Sequence, residues 1–111
     1  MNTRKTLAAA LAAMLVAATL SCFAKGNVVT QWTAKDGGDT ALFTFYSDKT
    51  WEEIATYEDG HSDKIKGTYS GDTTKDGEIS LVFDGGTTLT ADIFGDLMDF
   101  DGADVVLTKV K

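Results

Sequence analysis

The sequence predicts an all-β fold: a small antiparallel up-and-down β-barrel of about eight short strands, after an N-terminal signal peptide. Three observations point that way. Proline is absent and all 11 glycines lie beyond residue 24. There they recur with Asp, Asn and Ser at short intervals and mark turns. Between the turns lie short runs of β-branched and aromatic residues, which suit a pleated surface. Within the runs, apolar and polar residues alternate with period 2.

The first run is Val28–Thr33, with Trp32 near its end, and Asp36-Gly37-Gly38-Asp39 breaks it. Ala41–Tyr46 follows, with Phe43 and Phe45 on one face, and Ser47-Asp48-Lys49 turns the chain. Thr50–Tyr57 places Trp51, Ala55 and Tyr57 on one side before the turn Glu58-Asp59-Gly60. Lys64–Ser70 alternates Ile65, Gly67 and Tyr69 against Lys64, Lys66 and Thr68. Gly67, at an inward position, suits relief of crowding or a sharp bend in a coiled sheet. A longer loop, Gly71–Gly77, leads to Glu78–Phe83, where Ile79, Leu81 and Phe83 share a face. Asp84-Gly85-Gly86 is a tight hairpin signal. Thr87–Phe94 carries Leu89, Ala91 and Ile93 on one face; Gly95-Asp96 precedes Leu97–Phe100, and Asp101-Gly102 turns into Val105–Val110.

Such alternation belongs to a half-buried antiparallel sheet. An open sheet of this many strands would expose two edges, and closure into a barrel removes them. Every connection is short enough for a hairpin, so up-and-down order is the simplest topology.

Residues 1–24 carry an export signal. Arg4 and Lys5 form a positive start, Leu7 to Leu20 an apolar run, and Ser21-Cys22-Phe23-Ala24 a small-residue end. The run is shorter than the ~20 residues a membrane helix needs. The chain therefore divides into a signal peptide, 1–24, and a barrel domain, 25–111. Cleavage after Ala24 gives a periplasmic or secreted protein. The alternative is a lipid anchor on Cys22, as in bacterial lipoprotein signals, although Leu20 stands one place too close to the cysteine for that pattern. Cys22 is the only cysteine. The mature region thus has no disulfide, no zinc-finger site and no cysteine nucleophile.

Removal of the signal leaves eight lysines, no arginine and 17 acids, a formal charge of −9. Phosphate and nucleic-acid sites use arginine forks and a basic face. This surface repels nucleic acid and anionic headgroups. Membrane association is expected only through a lipid on Cys22.

The order of turn and core residues is similar to a known group. Phe43-x-Phe45-x-Ser47-Asp48-x-Thr50-Trp51, Gly60, Lys66-Gly67-Thr68-Tyr69-Ser70-Gly71-Asp72, Gly77-Glu78-Ile79-Ser80-Leu81 and the late Gly95-Asp96-Leu97-Met98 resemble small lipocalin-like secreted bacterial domains. The resemblance covers about Gly26 to Val110. It implies a calycin-type barrel and no particular ligand, since fold does not fix function.

Candidate chemistry is sparse. His61, the only histidine, sits at a hairpin tip, with no nucleophile or orienting partner placed beside it by the sequence. Asp99-Phe100-Asp101-Gly102-Ala103-Asp104 resembles a calcium loop in outline, but its glycine comes too early and no glutamate closes it. With Asp92 and Asp96 it reads as solvated turn acids, the alternative being weak calcium binding. No metal or cofactor is implied, and no enzyme is expected. The aromatics are the strongest candidates. Trp32, Trp51, Tyr57 and Tyr69 are expected to bind a small apolar ligand at the barrel mouth, unless the aromatics simply fill the interior. The alternative function is a protein-interaction or cell-envelope structural module with a filled core.

Overall fold

The alternating runs become eight antiparallel strands that close into a barrel in simple sequence order. The computed structural model describes residues 26–103 and 105–110. The signal peptide, its cleavage site, Cys22 and Asp104 lie outside the described residues. The strands are β1 (Val28–Asp36), β2 (Asp39–Tyr46), β3 (Thr50–Thr56), β4 (Ser62–Ser70), β5 (Gly77–Phe83), β6 (Thr88–Phe94), β7 (Leu97–Phe100) and β8 (Val106–Lys109). Closure is made by β8, which pairs with β7 on one side and with Trp32 and Thr33 of β1 on the other. This is an all-β, eight-stranded antiparallel barrel, compatible with a lipocalin-like fold.

Most strand bounds shift by one to three residues from the sequence reading, and two of the shifts bear on the mouth of the barrel. β1 runs on through Ala34, Lys35 and Asp36, because a two-residue Gly37-Gly38 turn keeps Asp36 paired with Asp39. β3 stops at Thr56, so Tyr57 belongs to the turn and not to the strand face. There its N–H donates to the His61 carbonyl oxygen at 2.9 Å.

Strand register stacks the inward side chains in layers. One layer runs Phe45, Trp51, Gly67, Phe83; the next runs Trp32, Phe43, Glu53, Ile65; the third runs Ala34, Ala41, Ala55, Asp63. Aromatic rings fill the first two. Phe43 stacks on Trp51 at 5.8 Å, Trp51 meets Phe83 edge-on at 4.9 Å, Phe45 meets Tyr69 at 5.0 Å, and Phe43 meets Phe100 at 5.4 Å. Those spacings are favourable edge-to-face and offset geometries. Gly67 is where crowding is relieved. A Cβ there would stand 1.9 Å from the Val82 carbonyl oxygen on β5.

The two ends of the barrel differ. The base carries the β2–β3, β4–β5 and β6–β7 connections. The long β4–β5 loop folds across it and buries Thr73, whose Oγ1 accepts a 2.9 Å hydrogen bond from Thr30 Oγ1. The mouth carries the β1–β2, β3–β4, β5–β6 and β7–β8 turns. The third layer behind it is built from alanines rather than rings.

Candidate functional site

The four aromatics named from sequence do not meet at one place. Trp51 and Tyr69 lie in the basal half of the core. The Trp51 Nε1 donates to the Thr68 carbonyl oxygen at 2.9 Å, and the Tyr69 hydroxyl donates to the Tyr46 carbonyl oxygen at 2.9 Å. Burial raises the Tyr69 phenol above its ordinary range, and the charges of Asp48 and Asp72 add to the effect. Trp32 is fully buried, and its Nε1 donates to Thr30 Oγ1 at 3.0 Å. Lys109 places its ammonium 5.8 Å from the Trp32 ring centroid. Tyr57 alone stands at the mouth, half-buried, with its ring stacked on His61 at 4.5 Å.

The mouth holds residues that the list of aromatics missed. Asp39 is buried at the start of β2, and its Oδ1 accepts the Glu58 N–H at 2.9 Å. That bond ties the β3–β4 turn to the β1–β2 turn. The Tyr57 hydroxyl donates to Asp63, and burial with the charges of Asp63, Glu53 and Asp39 pushes the phenol up to about 12. One layer below, Glu53 is 0% exposed. It sits inward between Trp51 and Ala55 on its strand, and across from Phe43 and Ile65 on the neighbouring strands. Neither carboxylate oxygen has a hydrogen-bond partner among the described residues. Burial, with the nearby Asp63 charge, pushes its pKa up to about 8. The signal was legible: Glu53 is a charged residue at an inward position of an otherwise apolar face.

His61 lies at the hairpin tip with Nδ1 2.5 Å from Asp59 Oδ1, both side chains exposed. Hydrogen bonds from His61, its backbone N–H first, hold Asp59 below the ordinary carboxylate range. The late acids lie on the opposite flank. Asp92 and Asp99 are directly paired across β6 and β7 on the outer face, and Asp101 accepts from the Thr90 hydroxyl. Among the described residues no three His, Cys, Asp or Glu side chains form a group that could hold a metal ion.

The same outer face displays apolar side chains. Phe94 is 59% exposed and Leu97 47%, and the two are cross-strand partners two rungs from the Asp92–Asp99 pair, with the buried Ile93–Met98 pair between. Val106, opposite Asp99 on β8, is exposed beside them.

No protein-family model matches the chain, and neither the curated proteins nor the solved structures contain a match.

Proposed function

We propose that the chain is an exported, non-enzymatic barrel module of calycin type that docks a protein partner on the outer face of β6, β7 and β8. The carrying observation is the Phe94–Leu97 pair. Large apolar side chains stand in water there while the interior beside them is packed with rings. Asp92 and Asp99 face each other two rungs along, as the next outward-facing pair. Like charges directly opposite on a sheet are unfavourable. A partner strand or helix that alternates basic and apolar residues would cover the apolar pair and relieve the repulsion. A second copy of the chain would bring more acid to the same face.

The test is a titration with a peptide of alternating leucine and lysine, followed by amide shifts. The expected result is saturable binding that moves Phe94, Leu97 and Asp99, weakens with salt, and is lost in both Phe94→Ser/Leu97→Ser and Asp92→Asn/Asp99→Asn variants. Binding that survives the apolar pair's removal would mean diffuse charge attraction, and the docking face would be rejected.

A small apolar ligand at the mouth, lying against Tyr57, is the second reading. It is favoured by the mouth position of Tyr57 above a layer of small residues. Saturable binding of an apolar probe, weakened in Tyr57→Ala, is the result that would carry it.

A further inference from the structure

We propose that Asp84, in the β5–β6 turn, is a self-modification site at which the backbone isomerises to an isoaspartyl linkage. The sequence has five Asp-Gly steps: Asp36-Gly37, Asp59-Gly60, Asp76-Gly77, Asp84-Gly85 and Asp101-Gly102. At such a step the glycine leaves its own nitrogen unhindered, and that nitrogen is placed to attack the aspartate side chain. Two conditions decide whether it does so in a folded protein. The carboxyl must be free to swing toward the next nitrogen, and that N–H must not be held by an acceptor. A carboxylate that accepts hydrogen bonds fails the first condition, because the bonds fix its position and favour its charged form.

Four of the five steps are held. Asp59 Oδ1 accepts the His61 N–H at 3.0 Å, and the Gly60 N–H donates to the Tyr57 carbonyl oxygen at 2.8 Å. Asp76 Oδ1 accepts the Gly95 N–H at 2.8 Å, and Gly77 is paired with Ile93 in the β5–β6 ladder. Asp101 Oδ2 accepts from the Thr90 hydroxyl, and the Asp101 N–H donates to the Thr90 carbonyl oxygen at 2.9 Å. Asp36 is paired with Asp39 across a two-residue turn, and its Oδ2 is buried. Asp84 differs. Its side chain is exposed and makes no hydrogen bond or ion pair among the described residues. Its own N–H is anchored on the Lys66 carbonyl oxygen at 3.1 Å, which fixes the backbone while the carboxyl swings. The turn is closed by the Gly86 N–H on the Phe83 carbonyl oxygen and the Phe83 N–H on the Thr87 carbonyl oxygen, both at 2.7 Å, without use of the Gly85 N–H.

The step balances with water alone. The Gly85 nitrogen, its proton given to solvent, bonds to the Asp84 Cγ, and a side-chain oxygen leaves as water. The product is a five-membered succinimide, to which a water molecule then adds. Opening at Cγ restores aspartate. Opening at the former backbone carbonyl breaks that carbon's bond to the Gly85 nitrogen. The chain then runs through Cβ and Cγ, and the carboxylate stands on Cα. One water leaves and one enters, nothing is oxidised, and the net charge is unchanged. The backbone gains one atom in a turn that follows a tightly placed residue: Phe83 is buried and meets the Trp51 ring at 4.9 Å. The Gly86–Phe83 bond spans the lengthened path and is the one expected to break, which loosens the end of the β5–β6 hairpin.

The experiment holds the purified protein at neutral pH in heavy-oxygen water for several weeks. Peptides are then mapped by electron-transfer fragmentation, which separates isoaspartyl from aspartyl peptides of the same sequence. The expected result is isoaspartate at Asp84 several-fold above each of the other four steps, carrying one heavy oxygen. In urea, where the folded hydrogen bonds are gone, the five steps should react at similar rates. Gly85→Val should suppress the Asp84 product, and an added Cβ there meets no atom within 4 Å. Thr90→Val, which removes the donor to Asp101, should raise the Asp101 product and leave Asp84 unchanged. Thermal melts establish that each variant is folded. Equal isoaspartate at all five steps of the folded protein, more at a held step than at Asp84, or no product at Asp84 would each overturn the site. The same preference for Asp84 in urea would overturn the structural reason for it.

Discussion

Thr30 and Thr73 lie 43 residues apart in sequence and share a buried 2.9 Å hydrogen bond that fastens the β4–β5 loop across the base of the barrel. The Trp32 indole donates to the same Thr30 oxygen at 3.0 Å. Three groups thus form a chain, Trp32 to Thr30 to Thr73, with every member buried.

The two threonines should respond unequally to Val. Thr30→Val leaves the Trp32 N–H without its acceptor and should cost about 1–3 kcal/mol. Thr73→Val removes only the terminal acceptor and should cost less, about 0.5–1.5 kcal/mol. Urea unfolding midpoints of the two variants and the double variant check this. Additive losses would show that the loop is not fastened by this bond.

Stability should fall as pH rises through neutrality, and Glu53 is the reason. Its folded pKa, about 8, stands above the ordinary value of 4.5. Between those values the folded state holds a proton that the unfolded state releases. The contribution is therefore complete below about pH 4.5 and is lost as pH rises toward 8. The slope of unfolding free energy should approach about −1.4 kcal/mol per pH unit inside that window. Glu53→Gln should flatten it and be the more stable protein at pH 8. Unfolding midpoints at pH 5.5, 6.5 and 7.5 for parent and variant decide the point. Parallel curves would place the titrating group elsewhere.

Gly67 holds its place by backbone approach. It pairs with Trp51 on one side and Phe83 on the other, and an added Cβ would meet the Val82 carbonyl oxygen at 1.9 Å. That oxygen belongs to the β5 backbone, so relief means moving a strand. Gly67→Ala should destabilise the domain by about 1–3 kcal/mol, the usual cost of overpacking. Thr68→Ala beside it points outward and should change stability far less. Equal melting temperatures for the two variants would mean the sheet yields easily.

The fold was legible because its determinants are local. Period-2 alternation and Gly/Asp turns fix strand direction and hairpin order residue by residue, and closure then follows from the cost of open edges. The mouth was less legible because its character depends on register. Nothing near Ala34 announces that it will stand beside Ala41, and Ala41 beside Ala55, until three strands are aligned. Tyr57 was placed on the strand face by counting in twos from Trp51, which fails once the strand ends at Thr56. Glu53 is an inward charge that period-2 counting from Trp51 marks, as counting from Ile65 marks Asp63. The Thr73 loop had no sequence signal, since its role depends on a hydroxyl partner 43 residues away.

Closure of the barrel rests on a narrow seam. β8 is four residues long and touches β1 through only the Trp32–Lys109 and Thr33–Thr108 pairs, extended by the Val110 N–H, which donates to the Gln31 carbonyl oxygen at 2.7 Å. Yet Leu107, on the inner face of β8, is buried in the core, and Val105 is buried just before the strand. Deleting residues 105–111 would expose the free edges of β1 and β7 and open the side of the core where Phe100 packs against Phe43. The expected outcome is loss of the cooperative melt and of the near-ultraviolet signal of the buried tryptophans, with aggregation through the new edges. Supplying the missing strand as a separate peptide should restore the signal by strand addition. A truncated chain with an unchanged melt would show that β8 is an accessory strand and that the core is sealed without it.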